Sequence, residues 1–140
     1  MSATGMEVFD QTLQKTNIWL KEIMDDLGPD RQRAYHALRA VLHSLRDRLT
    51  VEEAAHLSAQ LPMLIRGIYF EGWHPAGKPN KDRSMDEFLQ HVQERLGGIE
   101  PINVETATRS VFRVLQQNIT DTEVGHVKDM MGKSLQPLWP

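Results

Sequence analysis

The stretch that decides the fold is Ala37–His56, ALRAVLHSLRDRLTVEEAAH, because it returns at Ala107–His126 as ATRSVFRVLQQNITDTEVGH. The two copies align without a gap at a shift of 70 residues, and seven of their 20 positions are identical. Upstream the similarity continues at a shift of 69. We therefore predict an internal duplication, with one repeat over about 8–70, a loop at 71–83, and a second repeat over about 84–140.

Each repeat has the pattern of three helices. Apolar residues recur at helical spacing in six segments, and glycine, proline or capping residues lie between the segments. Thr50 and Thr120 open the third helix of each repeat, each followed three residues later by a glutamate, as in a capping box. Pro62 lacks the amide hydrogen that an unbroken third helix needs, so it should kink or divide that helix. The predicted fold is all-α, a six-helix bundle of two tandem three-helix repeats related by a pseudo-twofold axis.

Composition and charge set the class of protein. The chain is 40% hydrophobic and 25% charged, which is ordinary for a folded domain, and a repeat of about 70 residues is too small to be comfortably stable alone. Both repeats should thus share one core in a single helical domain over 1–140. The chain has no cysteine, which excludes disulfides and thiolate chemistry, and its net charge of −3 gives no general attraction to nucleic acid. No signal peptide or membrane-length apolar run is evident, so we expect a cytoplasmic protein without membrane association.

One run of sequence carries a family resemblance. Residues His56–Trp73, HLSAQLPMLIRGIYFEGW, resemble the bacterial family named domain of unknown function 2267, and the similarity extends from about Phe9 to the C-terminus. The pattern H-L-x-A-Q-L-P followed by R-G-x-Y-x-E-G-W carries the resemblance. It implies a helical bacterial cytoplasmic protein and supplies no activity, substrate or cofactor.

A Glu-x-x-His motif occurs at the same place in both repeats, as Glu53/His56 and Glu123/His126. Two such motifs on separate helices make up half of a di-iron carboxylate site. The remaining glutamates of such a site are not duplicated here. Each motif glutamate also follows a threonine by three residues, where it can fold back to cap its own helix. We therefore expect capping glutamates, hydrogen-bonded histidines and no metal, and we retain a metal site at these four residues as the alternative.

Basic residues form a stripe on the second predicted helix. His36, Arg39, His43 and Arg46 are spaced i, i+3, i+7 and i+10. At 100° per residue the stripe lies nearly opposite the apolar face, so we expect it to face solvent. A docking surface for RNA or an acidic protein is the alternative interpretation, but no aromatic residue is interleaved for base stacking.

The loop at 71–83 has no counterpart in the second repeat. Basic and aromatic residues gather there and at the end of the preceding helix. Loops of this length in compact domains are commonly functional or disordered, and tryptophan and arginine often anchor interfaces. The candidate binding residues are therefore Arg66, Tyr69, Trp73 and His74. The competing interpretation is a crossover linker whose tryptophan fills the core.

No assembled catalytic set is recognisable in the sequence: there is no Ser-His-Asp order, phosphate loop, dinucleotide fingerprint or His-Glu-x-x-His motif. We therefore expect a non-enzymatic, regulatory or stress-related interaction module that needs no cofactor. Its partner would be an unidentified protein, or a second copy in a homodimer. The first alternative is a metal-dependent or small-molecule enzyme that uses Glu53, His56, Glu123 and His126. A weaker alternative is nucleic-acid binding through the second helix, which the net charge makes an unfavoured partner class.

Overall fold

The computed structural model describes residues 2–81, 84–97 and 102–140. Within these ranges the chain forms seven α-helices, one short 3-10 helix and no strand, so the all-α prediction is confirmed. The helices are α1 Glu7–Leu27, α2 Arg31–Arg48, α3 Val51–Ser58, α4 Met63–Phe70, α5 Met85–Leu96, α6 Val104–Asn118 and α7 Asp121–Met131, followed by the 3-10 helix Gln136–Leu138.

The predicted count of six helices is wrong by one, at Pro62. The third helix of the first repeat is divided there: α3 ends at Ser58, and Pro62 precedes the first residue of α4. Arg66 holds this corner, since its Nε donates to the carbonyl of Ser58 at 2.8 Å and its Nη2 donates to that of Leu61 at 2.9 Å. These two bonds satisfy carbonyls that the break leaves without helical partners. The chain can therefore reverse direction and lay α4 across α2.

The helices α2 and α6 form the centre of the molecule. The helix α2 packs against α1, α4, α5 and α6, and α6 packs against α1, α2, α5 and α7. One continuous cluster of buried apolar side chains includes members from both predicted repeats. Its aromatic part runs from Phe88 through Phe112 to Trp139, and the last two rings are stacked with their centroids 4.3 Å apart. The first turns of α3 and α7 lie against each other at the edge of this core.

The expectation that the basic stripe of α2 faces solvent is wrong. His43 and Arg46 are buried, and His36 and Arg39 are half-buried. Nε2 of His43 lies 2.7 Å from the carbonyl oxygen of Ile68, and Nη1 of Arg46 donates to the carbonyls at the end of α4. The periodicity placed these residues opposite the main core correctly, but it could not show that α4 covers that face. The exposed basic surface on which the nucleic-acid alternative depended is absent from α2.

The described part of the predicted loop, residues 71–81, is attached to the end of α2; positions 82 and 83 lie outside the described residues. The amide of Asn80 donates to the carbonyl of Asp47 at 2.7 Å, and Nζ of Lys78 lies 3.9 Å from Oδ2 of Asp47. Arg46 and Arg95 also donate to the Asp47 carboxylate. A buried carboxylate with three cationic neighbours thus fixes the course of this segment. Among the helices of the described ranges, none combines the length and the apolar character needed to cross a membrane.

Candidate functional site

The starts of α3 and α7 are built in the same way. Oγ1 of Thr50 accepts a hydrogen bond from the amide of Glu53 at 3.2 Å, and Oγ1 of Thr120 accepts one from the amide of Glu123 at 3.2 Å. Each threonine satisfies one of the amides that a helix leaves unpaired at its N-terminus. The prediction that Thr50 and Thr120 begin these helices is therefore confirmed.

The glutamates do not complete the capping boxes, so that part of the prediction is wrong. The amide of Thr120, which Glu123 would cap, donates instead to Oε1 of Gln60 at 3.0 Å. Oε2 of Glu53 lies 3.7 Å from Nδ1 of His56, on its own helix. Because the first turns of α3 and α7 are in contact, both carboxylates point into the seam between the helices rather than back toward their own threonines.

The two motifs meet across this seam. One ligand atom from each of Glu53, His56, Glu123 and His126 can be chosen so that all four lie within 4.8 Å of one another. Nδ1 of His56 lies 2.8 Å from Oε1 of Glu123, and Nδ1 of His126 lies 3.4 Å from the same oxygen. We call these four residues the Glu-His cluster. Ligand atoms about 2.0–2.2 Å from a common ion are separated by about 3.0–3.4 Å in octahedral or tetrahedral arrangements, so the observed spacing is close to that of a coordination shell.

The Glu-His cluster has a buried side and an open side. The side chain of Glu123 is only 1% exposed and that of Glu53 14%, whereas those of His56 and His126 are 58% and 55% exposed. Oε1 of Glu53 and Oε2 of Glu123 are buried and have no hydrogen-bond partner. A buried carboxylate oxygen without a donor is costly, and such atoms in a folded protein call for an explanation. A cation held between the two glutamates would supply one.

The electrostatics of the cluster agree with this geometry. Burial raises the pKa of Glu53, and the charge of Glu123 together with a hydrogen bond between the two carboxyl groups raises it further. His56 and His126 act in the opposite direction and lower that pKa. Two buried carboxylates in contact do not easily hold two negative charges, so they must share a proton or bind a cation.

The four residues predicted as a binding site are arranged differently. Tyr69 is fully buried, and its hydroxyl donates to the carbonyl of Ala54 at 2.8 Å. Arg66 holds the corner between α3 and α4. Trp73 is half-buried with its ring 5.1 Å from that of Phe70, and His74 is exposed. Only Arg66 of the four borders a sizeable cleft, one of about 470 Å³ at the corner. The structure does not bring the four together as one site, and their role in binding stays a prediction.

The fold and the cluster together define a class: an all-helical protein with two histidines and two glutamates gathered between two helices. The chain belongs to the family described as Uncharacterized conserved protein (DUF2267), whose sequence model matches residues 16–138. This confirms the resemblance carried by His56–Trp73, and the matched range includes every residue of the Glu-His cluster. No curated protein matches the chain.

Proposed function

We propose that this protein binds one divalent transition-metal ion between α3 and α7 through Glu53, His56, Glu123 and His126. The observation that carries the proposal is the convergence of four ligand atoms within 4.8 Å of one another, from two helices whose motifs lie 70 residues apart in sequence. The expectation of a metal-free interaction module with capping glutamates loses its main support, because the glutamates do not cap.

The donor set selects the kind of ion. Two imidazoles with two carboxylates suit zinc, iron, manganese, cobalt or nickel, whereas calcium and magnesium prefer shells made of oxygen alone. Charge balance favours a divalent ion, because two ionised glutamates and two neutral histidines neutralise it. The two carboxylate oxygens that now have no partner would become ligands or lie next to the ion.

The decisive experiment measures metal binding directly. The purified chain is stripped with a chelator and titrated with Zn²⁺ and with Co²⁺, followed by calorimetry and by the visible absorption of bound cobalt. We expect one ion per chain for the parent and for the matched control Glu52→Gln, an exposed neighbour outside the cluster. Glu123→Gln and His56→Ala should each weaken binding at least tenfold. If the parent binds no more tightly than the Glu123→Gln variant, the cluster is a proton-sharing carboxylate pair and the proposal fails.

The duplication is part of this proposal, since it explains why two copies of one motif meet. The helices α2 and α6 end at Arg48 and Asn118, and α3 and α7 begin at Val51 and Asp121. Both pairs of boundaries differ by the 70 residues of the sequence alignment. A pseudo-twofold axis passing close to the α3–α7 contact would bring the two Glu-x-x-His motifs face to face, as observed. Superposition of an experimental structure on itself at this shift would test the axis.

Protein interaction is the second candidate function, and one surface favours it. An apolar groove of about 430 Å³ lies between α1 and α4, and Phe9, Met63 and Leu64 on its lining are 46%, 44% and 39% exposed. A largely uncharged face can pair with itself across a twofold axis without needing complementary charges. We propose a second copy of the chain as the partner. Sedimentation of the parent and of Leu64→Gln over a range of concentrations tests this, and a parent that stays monomeric throughout would contradict it.

The bacterial cytoplasmic setting and a regulatory or stress-related role also remain proposals. They rest on the family resemblance alone.

A further inference from the structure

We infer that the metal ion of the proposed function keeps an open coordination position, and that this position takes a small, uncharged ligand with a nitrogen or oxygen donor atom. The inference rests on the proposed function and specifies what the site would bind. It comes from the difference between the two sides of the Glu-His cluster.

The open side faces a cleft in the surface. This cleft has a volume of about 290 Å³ and is lined by Thr50, Glu52, Glu53, His56, His126 and Met130. Glu123 does not line it and lies on the buried side of the cluster. An ion at the cluster would therefore have protein behind it and the cleft in front of it.

The ligand set also leaves room at the ion. Structural zinc sites are closed tetrahedra that are usually rich in cysteine, whereas catalytic sites keep a position for water or substrate. Here all four donor residues belong to two helix starts on one side, and both histidines are more than half exposed. No other histidine, aspartate or glutamate within the described ranges joins the cluster to close the shell. Water would fill the open position until a ligand replaced it.

The charges select among ligands. Two ionised glutamates neutralise a divalent ion, so the loaded site itself attracts anions only weakly. The exposed carboxylate of Glu52 on the lining of the cleft adds a negative charge beside the open position. Neutral donors such as an imidazole nitrogen or a carbonyl oxygen should consequently bind better than anions. The half-buried thioether of Met130 gives the cleft wall an apolar part, which suits a ligand with a small hydrocarbon portion.

The test uses cobalt-loaded protein and two small probes. The visible absorption of bound Co²⁺ changes when a ligand enters its coordination shell, so imidazole and azide are titrated separately while cobalt retention is measured by ultrafiltration. We expect imidazole to change the spectrum without releasing cobalt, and azide to bind more weakly. The Glu52→Gln variant should bind azide about two- to fivefold more tightly than the parent, as expected for removal of one screened charge a few ångströms away. Its imidazole affinity should be unchanged.

Each result has a separate meaning. If cobalt binds but neither probe alters its spectrum, or if imidazole acts only by removing the metal, the open position is absent and this inference fails while the proposed function stands. If azide binds more tightly than imidazole and Glu52→Gln has no effect on it, the assignment of an uncharged ligand is wrong. Failure of the parent to bind cobalt would overturn the proposed function itself.

Discussion

At the scale of single residues, Glu123 is the most unusual side chain in the described part of the molecule. It is almost completely buried, one of its oxygens lies beside two histidines, and the other has no partner. Burying a charge without full compensation costs several kcal/mol, so this glutamate destabilises the metal-free protein. Its retention at this position is understandable if a cation offsets the cost.

The first prediction concerns the stability of the Glu123→Gln variant. Without metal the variant should unfold at the same temperature as the parent or higher, because the substitution removes a buried charge and keeps the threonine cap. A Zn²⁺ concentration about 100 times the Kd should stabilise the parent by about 2.7 kcal/mol, which corresponds to a rise of several degrees. The variant should not respond. Calorimetric scans with zinc and with chelator measure both effects, and a parent whose Tm ignores zinc would contradict them.

A second prediction concerns His43, which is buried beneath α4. Burial lowers the pKa of its imidazole; the hydrogen bond to the Ile68 carbonyl raises it, and the nearby charges of Arg46, Arg39 and Arg95 lower it again. The unfolded chain therefore binds a proton at this residue more readily than the folded one. Stability contributed by the neutral imidazole is present above a pH of about 6.5 and is lost as the pH falls below it.

The measurement compares the parent with His43→Gln, whose amide can still donate to the Ile68 carbonyl. Free energies of unfolding in urea are determined at a pH of about 7.5 and of about 5.5. The loss on acidification should be larger for the parent than for the variant, and the comparison cancels the other titrating groups, including Glu71, which lies close enough to His43 for its own pKa to be affected. Equal losses in the two proteins would show that His43 does not contribute.

At the scale of helices, the starts of α3 and α7 depend on single threonine caps. The neighbouring glutamates serve the cluster instead, so each start lacks the second bond of a capping box. Replacing Thr50 or Thr120 by alanine should cost about 1 kcal/mol, and serine at either position should restore most of the loss. Urea unfolding measures this. Losses within error of zero would mean that packing of the seam alone fixes where these helices begin.

Another prediction at this scale concerns the corner between α3 and α4. Arg66 donates two hydrogen bonds to carbonyls that the break at Pro62 leaves free, so Arg66→Ala should destabilise the chain by about 2–3 kcal/mol. Lys15→Ala, which removes a cation on the lining of the same cleft, serves as the control and should have little effect. If Arg66→Ala melts like the parent but loses a binding partner, the sequence-based assignment of Arg66 to a binding site would be supported over its structural role.

The helices were largely predictable from sequence because periodicity, caps and breakers act locally. The glycine after α1, both threonine caps and the break at Pro62 each act within a few residues. The burial of His43 and Arg46 was not predictable, because it depends on where α4 lies after that break. For the same reason, the spacing of Glu53 and His56 showed that their side chains share a face of α3, but not that α7 would present the same pair opposite them.

At the scale of the whole molecule, the Glu-His cluster joins the two halves of the chain at a contact that is otherwise small. A metal ion there would tie α3 of one repeat to α7 of the other, and a glutamine-to-amide bond, Gln60 to Thr120, already lies beside this junction. The sequence contained the signal for this connection in the repeated Glu-x-x-His motif. Its meaning depended on the arrangement of the repeats, which no local pattern specifies.

The last prediction is that metal binding protects two separate segments of sequence together. Amides near the starts of α3 and α7 should exchange hydrogen through local opening of the seam in the metal-free protein, because these helices are short and lie at the edge of the core. Zinc should slow exchange in peptides covering Val51–Ser58 and Asp121–Met131, as measured by mass spectrometry. The first two turns of α1, which carry exposed Val8 and Phe9, should be unaffected and provide an internal control. In the Glu123→Gln variant zinc should change neither segment. Protection of only one of the two helices would place the ion on a single motif rather than between the repeats, and protection of α1 to the same degree would indicate a general effect of zinc on the protein.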